Sequence, residues 1–124
     1  MDVVVTVPKW FGLARWIAEG NAAGQPWGGV LWEFPCGGSR PDCQPGDRVY
    51  VTYNGKLRGY AVLVKLTWSG NDGSFIRGGR AIAATIPEYI RGFRGWRYRW
   101  WQHEDEHPFP AWMTTAIGRL EELK

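Results

Sequence analysis

The feature that most constrains this chain is the dipeptide Asn54-Gly55. A two-residue hairpin turn of type I′ needs positive φ at both central residues, and Asn-Gly is the pair that tolerates it best. The flanks agree with the turn. Asp47 to Tyr53 alternates, with Val49, Val51 and Tyr53 on one face of a strand, and Lys56 to Leu66 returns antiparallel to it. Within the return, Tyr60 to Val64 is apolar on both faces, which predicts a central place in a sheet.

The remaining elements arrange themselves around that hairpin. Val3, Val4, Val5 and Val7 make a short first strand. Pro8 suits the first position of a helix, with Trp10, Leu13, Ala14 and Ile17 at helical spacing and Gly20 as the stop. Gly29 to Phe34 reads as a strand and Pro35 to Pro45 as an exposed loop. Past a turn at Ser69 to Ser74, Phe75 to Ile86 is a strand with a bulge marked by Gly78 and Gly79, and Phe93 to Trp101 is the last strand. Pro110 opens a final helix carrying Met113, Ala116, Ile117 and Leu120 on one stripe. The expected fold is α+β: one domain, 1–124, built as a small, strongly curved sheet or barrel with helices packed at its openings.

No apolar run approaches the ~20 residues needed to cross a bilayer, and Met1 to Val7 lacks the basic start of a signal peptide. The expectation is a cytoplasmic protein without a membrane partner, in which Cys36 and Cys43 stay reduced. Nine Trp in 124 residues exceed what a core of this size needs, so some rings should line a pocket or binding face.

The net charge of +3 is unevenly spread. Between residues 74 and 101 six Arg face Glu88 alone, whereas 102–124 is acidic. The basic stretch interleaves with aromatics in Phe93-Arg94-Gly95-Trp96-Arg97-Tyr98-Arg99-Trp100-Trp101. As a strand it would put Trp96, Tyr98 and Trp100 on one face and Arg97, Arg99 and Trp101 on the other. Arg94, Arg97 and Arg99 are therefore candidate phosphate contacts, with Arg91 extending the patch and Trp101 available for stacking. The plainer reading leaves the Arg face merely solvated. Cys36, Cys43, His103 and His107 could form a zinc set, but Cys-x6-Cys is wider than a usual knuckle, and the acids at 104–106 read as a solvated run. No metal or other cofactor is expected. No phosphate loop or Ser-His-Asp order stands out, and no catalytic residue is assigned.

Pro45-Gly46-Asp47, followed by Tyr50, Tyr53 and Gly59-Tyr60-Ala61, resembles the PUA-like superfamily, whose ASCH, EVE and YTH branches share a PGD, strand, turn, G-x-A pattern. Upstream, Gly28 to Pro35 aligns by spacing with the G-x-K-x-x-E-x-R motif of ASCH domains. Gly28 and Glu33 match, whereas Val30 and Pro35 stand at the Lys and Arg positions. Trp27-Gly28-Gly29-Val30 also looks like the W-x-G-V stretch of EVE domains. The resemblance covers roughly residues 1–68. It implies a small pseudo-barrel that binds RNA or DNA, with or without a modified base. It also puts Trp27, Trp32 and Glu33 at the base pocket, where an indole would stack and Glu33 would accept from an amino group. Some ASCH members are hydrolases that use the motif Lys, and Val30 at that position argues against such chemistry here. Two further readings stay open: a small hydrolase on the same fold acting on a modified nucleoside or RNA, and a Trp-rich module whose partner is a protein.

Overall fold

The structure, a computed structural model, describes residues 1–12 and 32–108. Six strands form one sheet: β1 (Val3–Thr6), β2 (Trp32–Gly37), β3 (Arg48–Tyr53), β4 (Lys56–Ser69), β5 (Asp72–Ala83) and β6 (Trp96–Tyr98), in the spatial order β2-β5-β4-β3-β1-β6. The hairpin is as the sequence predicts. Asn54 and Gly55 adopt φ of 52° and 86°, and β3 and β4 pair antiparallel from Tyr53↔Lys56 to Arg48↔Val62. The Pro45-Gly46-Asp47 stretch is the turn that feeds β3. Gly46 takes φ 99°, its N–H donates to the Leu63 carbonyl at 2.9 Å, and the Asp47 carboxylate accepts from the Gln44 N–H. The partners of β1 and β2 were not legible: β1 runs parallel to β3, Val3 opposite Val49, and antiparallel to β6, and β2 pairs with β5.

Two cores lie on the two faces. The concave face gathers Val3, Val5, Val49, Val51, Ala61, Leu63 and Phe75, with Phe34 from one edge of the sheet and Trp96 and Tyr98 from the other. Side chains from both edges meet there because the sheet curls. On the convex face Val4, Tyr50 and Leu57 are covered by Ile86, Ile90 and Trp101 from the segment between and after β5 and β6. That segment contains Pro87, Gly92 and Gly95 and is irregular apart from β6 and one 3₁₀ turn, His103–Asp105. Beyond this cover, Val62, Val64 and Ile82 stay exposed on the outer side of β4 and β5. The central strand is thus buried on both faces only along part of its length.

The expected α+β barrel capped by helices is not what forms. Among the described residues about half are strand, none is α-helical, the sheet is a curled half-barrel, and no helix packs at an opening. Among the described residues β2 pairs with β5 alone, and it carries Pro35, which has no N–H to donate to a ladder. The chain leaving β2 approaches β6 without pairing: the Trp96 indole N–H donates to the Ser39 carbonyl at 2.8 Å, and the Asp42 N–H donates to the Tyr98 hydroxyl at 2.9 Å. The first expected helix begins as a single turn, Phe11 and Gly12 N–H donating to the Pro8 carbonyl. Its continuation and the helix expected from Pro110 lie outside the described residues. Among the described residues no helix is long and apolar enough to cross a membrane.

Polar pins fasten the irregular convex segment to the sheet. Glu106, with its side chain about one-tenth exposed, accepts from the Tyr50 hydroxyl at 2.5 Å and the Trp101 indole at 2.9 Å, and pairs with Arg48 at 3.3 Å. Asp2 accepts from the Arg48 N–H, and its carboxylate pairs with Arg99 and lies 3.1 Å from a His103 ring nitrogen. Burial alone would push the Asp2 pKa up. The bonds from Arg48, His103 and Arg99 outweigh it and hold the carboxyl below its ordinary value. Glu106→Ala strands a buried phenol and an indole N–H, at a cost of about 1–3 kcal/mol each before relaxation. The variant should unfold at clearly lower denaturant, read as a shift of the midpoint without a change in slope. Because the folded-state pKa of Asp2 is depressed, its contribution is complete above its ordinary pKa of 3.8 and disappears as pH falls through the lowered value. Asp2→Asn should therefore be less stable than wild type at pH 6, with the gap narrowing on acidification below about pH 4.

Candidate functional site

The half-barrel is open where β2 fails to meet the chain that enters β6, and this seam holds two adjoining cavities. A groove of about 590 Å³ runs between Phe34–Gly37 of β2 and the Gly92–Gly95 stretch, with Thr6 and Pro8 as its floor. A smaller, more enclosed chamber of about 350 Å³ has almost wholly apolar walls, contributed by Trp10 and Phe11 on one side and by β2 and Arg77 on the other. Pro8, Phe34 and Pro35 line both cavities and form their common wall. Both volumes lie within the range of small-molecule sites.

Local structure explains why the walls stand where they do. The pleat turns Phe34 and Cys36 inward with Phe75, whereas Glu33 stands opposite Ile76 on the other face. Across the groove, the Phe93 N–H donates to the Thr6 hydroxyl at 3.2 Å, and that hydroxyl lies 3.0 Å from Thr52 Oγ1. Gly95, at φ 72°, turns the chain so tightly against β2 that a Cβ there would sit 3.2 Å from the Gly37 carbonyl. The 92–95 stretch is thereby held to β1 and to β2 at once.

Of the residues singled out from sequence, Glu33 and Arg94 line the cavities of this seam, and Arg97 lies on the convex face beside the groove residue Phe93. Glu33 is exposed and lines the chamber, and Arg94 is exposed and lines the groove. Arg97, exposed on β6, lays its guanidinium 4.3 Å from the centre of the Phe93 ring. Arg99 is placed elsewhere: half-buried, it pairs with Asp2 and donates to the Trp101 carbonyl. Trp27 lies outside the described residues, and Trp32 is described only through its backbone, opposite Arg77.

The strand reading of 93–101 is corrected as well. Pairing stops at Tyr98, so the alternation does not continue to Trp100 and Trp101. Trp101 is buried on the convex face, edge-on to Tyr50 at 5.1 Å between ring centres, and offers no stacking surface. Trp100 is exposed and hydrogen-bonds Glu88 rather than joining Trp96 and Tyr98 inside. Sequence reasoning missed Trp10, reading it only as one of four residues at helical spacing. The ring is 82% exposed at the mouth of the chamber, edge-on to Phe11. The surplus of Trp over core needs was the only signal pointing to it.

The zinc candidates are dispersed. Cys43 is in the concave core, Cys36 on the groove wall, His103 on Asp2, and His107 in an isolated bridge with Thr85. Among the described residues no group of three His, Cys, Asp or Glu side chains could hold a metal ion. Both cysteines are free, and burial pushes each thiol up to about 11. No family model, curated protein or solved structure matches this chain.

Alkylation tests the chemical state of the groove wall. Cys36 should react with iodoacetamide at pH 7.5 roughly tenfold or more slowly than an ordinary thiol, because the thiolate is the nucleophile. Its rate, followed by mass spectrometry on a Cys43→Ser background, should climb until pH approaches about 11.

Proposed function

We propose that this domain binds single-stranded nucleic acid, or an unpaired base within it, modified or not, at the open seam of the half-barrel. The observation that carries this reading is the coincidence of an apolar, ring-lined chamber with exposed arginines on the adjoining rim. Trp10, Phe11 and Phe34 offer flat surfaces of the kind on which bases stack, and the chamber is large enough for one base. Arg94 opens onto the groove, and among the described residues no carboxylate engages it or Arg97, so both charges remain available to phosphate. Glu33, exposed at the chamber wall, supplies an acceptor for an exocyclic amino group. The concavity of the site favours this reading over a protein-docking module, which would present its indoles on a flat surface.

Fluorescence polarisation against randomised RNA and DNA pentanucleotides, over a series of salt concentrations, tests the proposal. Wild type should lose affinity with salt, and Arg94→Ala should flatten the log–log slope by about 0.7 on a single strand. Trp10→Ala should cost about 1–3 kcal/mol at every salt concentration, because stacking carries no counterion release. Glu33→Gln should change the order of preference among bases and leave the slope alone. A wild-type protein that binds no oligonucleotide or nucleoside at low salt would falsify the reading.

A further inference from the structure

Phe93 belongs to two environments at once. It lines the groove, and its ring carries the guanidinium of Arg97, whose carbon lies 4.3 Å from the ring centre. The ring also packs at the margin of the convex core, and its own backbone is fixed by the Thr6 hydroxyl. Arg97 is on β6 opposite Val4, so its Cα is fixed by the ladder and its side chain reaches back along the outer face to Phe93. A guanidinium is planar and has two faces. Its central carbon lies over the Phe93 ring and the residue is exposed, so guanidinium surface away from Phe93 is open to solvent on the convex side next to the groove residue Phe93.

We propose that the Arg97–Phe93 stack is a second base-stacking position, so that the seam takes at least two successive nucleotides: one base in the chamber and the next on the open face of Arg97. This rests on the nucleic-acid reading of the seam and assigns Arg97 a role distinct from that of Arg94. Arg94 meets the backbone as a charge, whereas Arg97 meets a base as a plane. Bases stack on guanidinium planes as they do on aromatic rings, and Phe93 beneath holds this plane flat before the ligand arrives. The ligand class that follows is single-stranded RNA or DNA, because a base in a duplex cannot leave its neighbours to cover Arg97 without unstacking.

Lysine separates the two roles, since it keeps the charge and loses the plane. The experiment compares wild type, Arg97→Lys and Arg97→Ala, each checked for an unchanged melting temperature, against the four nucleoside monophosphates and randomised RNA and DNA di- and pentanucleotides. Wild type should bind dinucleotides more tightly than monophosphates by roughly 5- to 100-fold, the worth of one stacked base. Arg97→Lys should lose most of that gain while keeping the wild-type salt slope, and Arg97→Ala should lose the gain and flatten the slope. Equal affinity of wild type for mono- and dinucleotides, or an Arg97→Lys variant that binds like wild type, would overturn the second position and leave the chamber reading standing. Failure of every probe to bind at low salt would overturn both.

Discussion

The rest of this structure depends on a seam that the backbone cannot close. A curled sheet lowers its exposed edge by pairing its first and last strands, but here the edge strand carries Pro35 and faces a chain that pairs for only three residues, Trp96–Tyr98. Hydrogen bonding across the gap runs from the chain just after β2 to β6: the Trp96 indole donates to Ser39 and the Asp42 N–H to the Tyr98 hydroxyl. The other end stays open, and its walls are the inward-facing residues of β2 together with the 92–95 stretch. A ladder there would have filled the space with backbone. Among the described residues, apolar side chains line the cavity there instead.

What keeps the open end in shape lies on the opposite face. The segment from Ala84 to His107 has little regular structure of its own, so its position is set by what it touches. Ile86, Ile90 and Trp101 supply apolar contact, and Glu106 and Asp2 supply direction by drawing Tyr50, Trp101, Arg48, Arg99 and His103 into two hydrogen-bonded clusters. Phe93, Arg94 and Arg97 lie between these anchors. A loop positioned by a rigid scaffold can present charged groups without the entropy loss of ordering them on binding, which is the usual reason binding residues sit on such loops. The same clusters explain why the arginines of this region have different fates: Arg99 falls within reach of Asp2, whereas Arg94 and Arg97 fall beyond any carboxylate among the described residues.

The chain by itself determined what local chemistry can determine. Asn54-Gly55 fixed a turn with two positive φ angles, the alternation before it fixed which side chains of β3 face inward, and the valines of β1 could only be a buried strand. The stretch Trp96 to Tyr98 likewise alternates as read. Only the tertiary structure decided which strands are neighbours, that β1 runs parallel to β3, and that the sheet stops short of a barrel. Period-two alternation states which face a residue occupies, not how far the strand runs or what lies across it. Trp101 and Arg99 therefore read from sequence as equals of Trp96 and Arg97, yet one residue past the last pair of β6 the chain turns away, burying the first and tying the second to Asp2. Trp10 shows the converse. Helical spacing gave it no binding role, and its place at the chamber depends on the distant β2 edge that forms the facing wall. No local pattern could encode that neighbour, because the contact is made only once the sheet has curled.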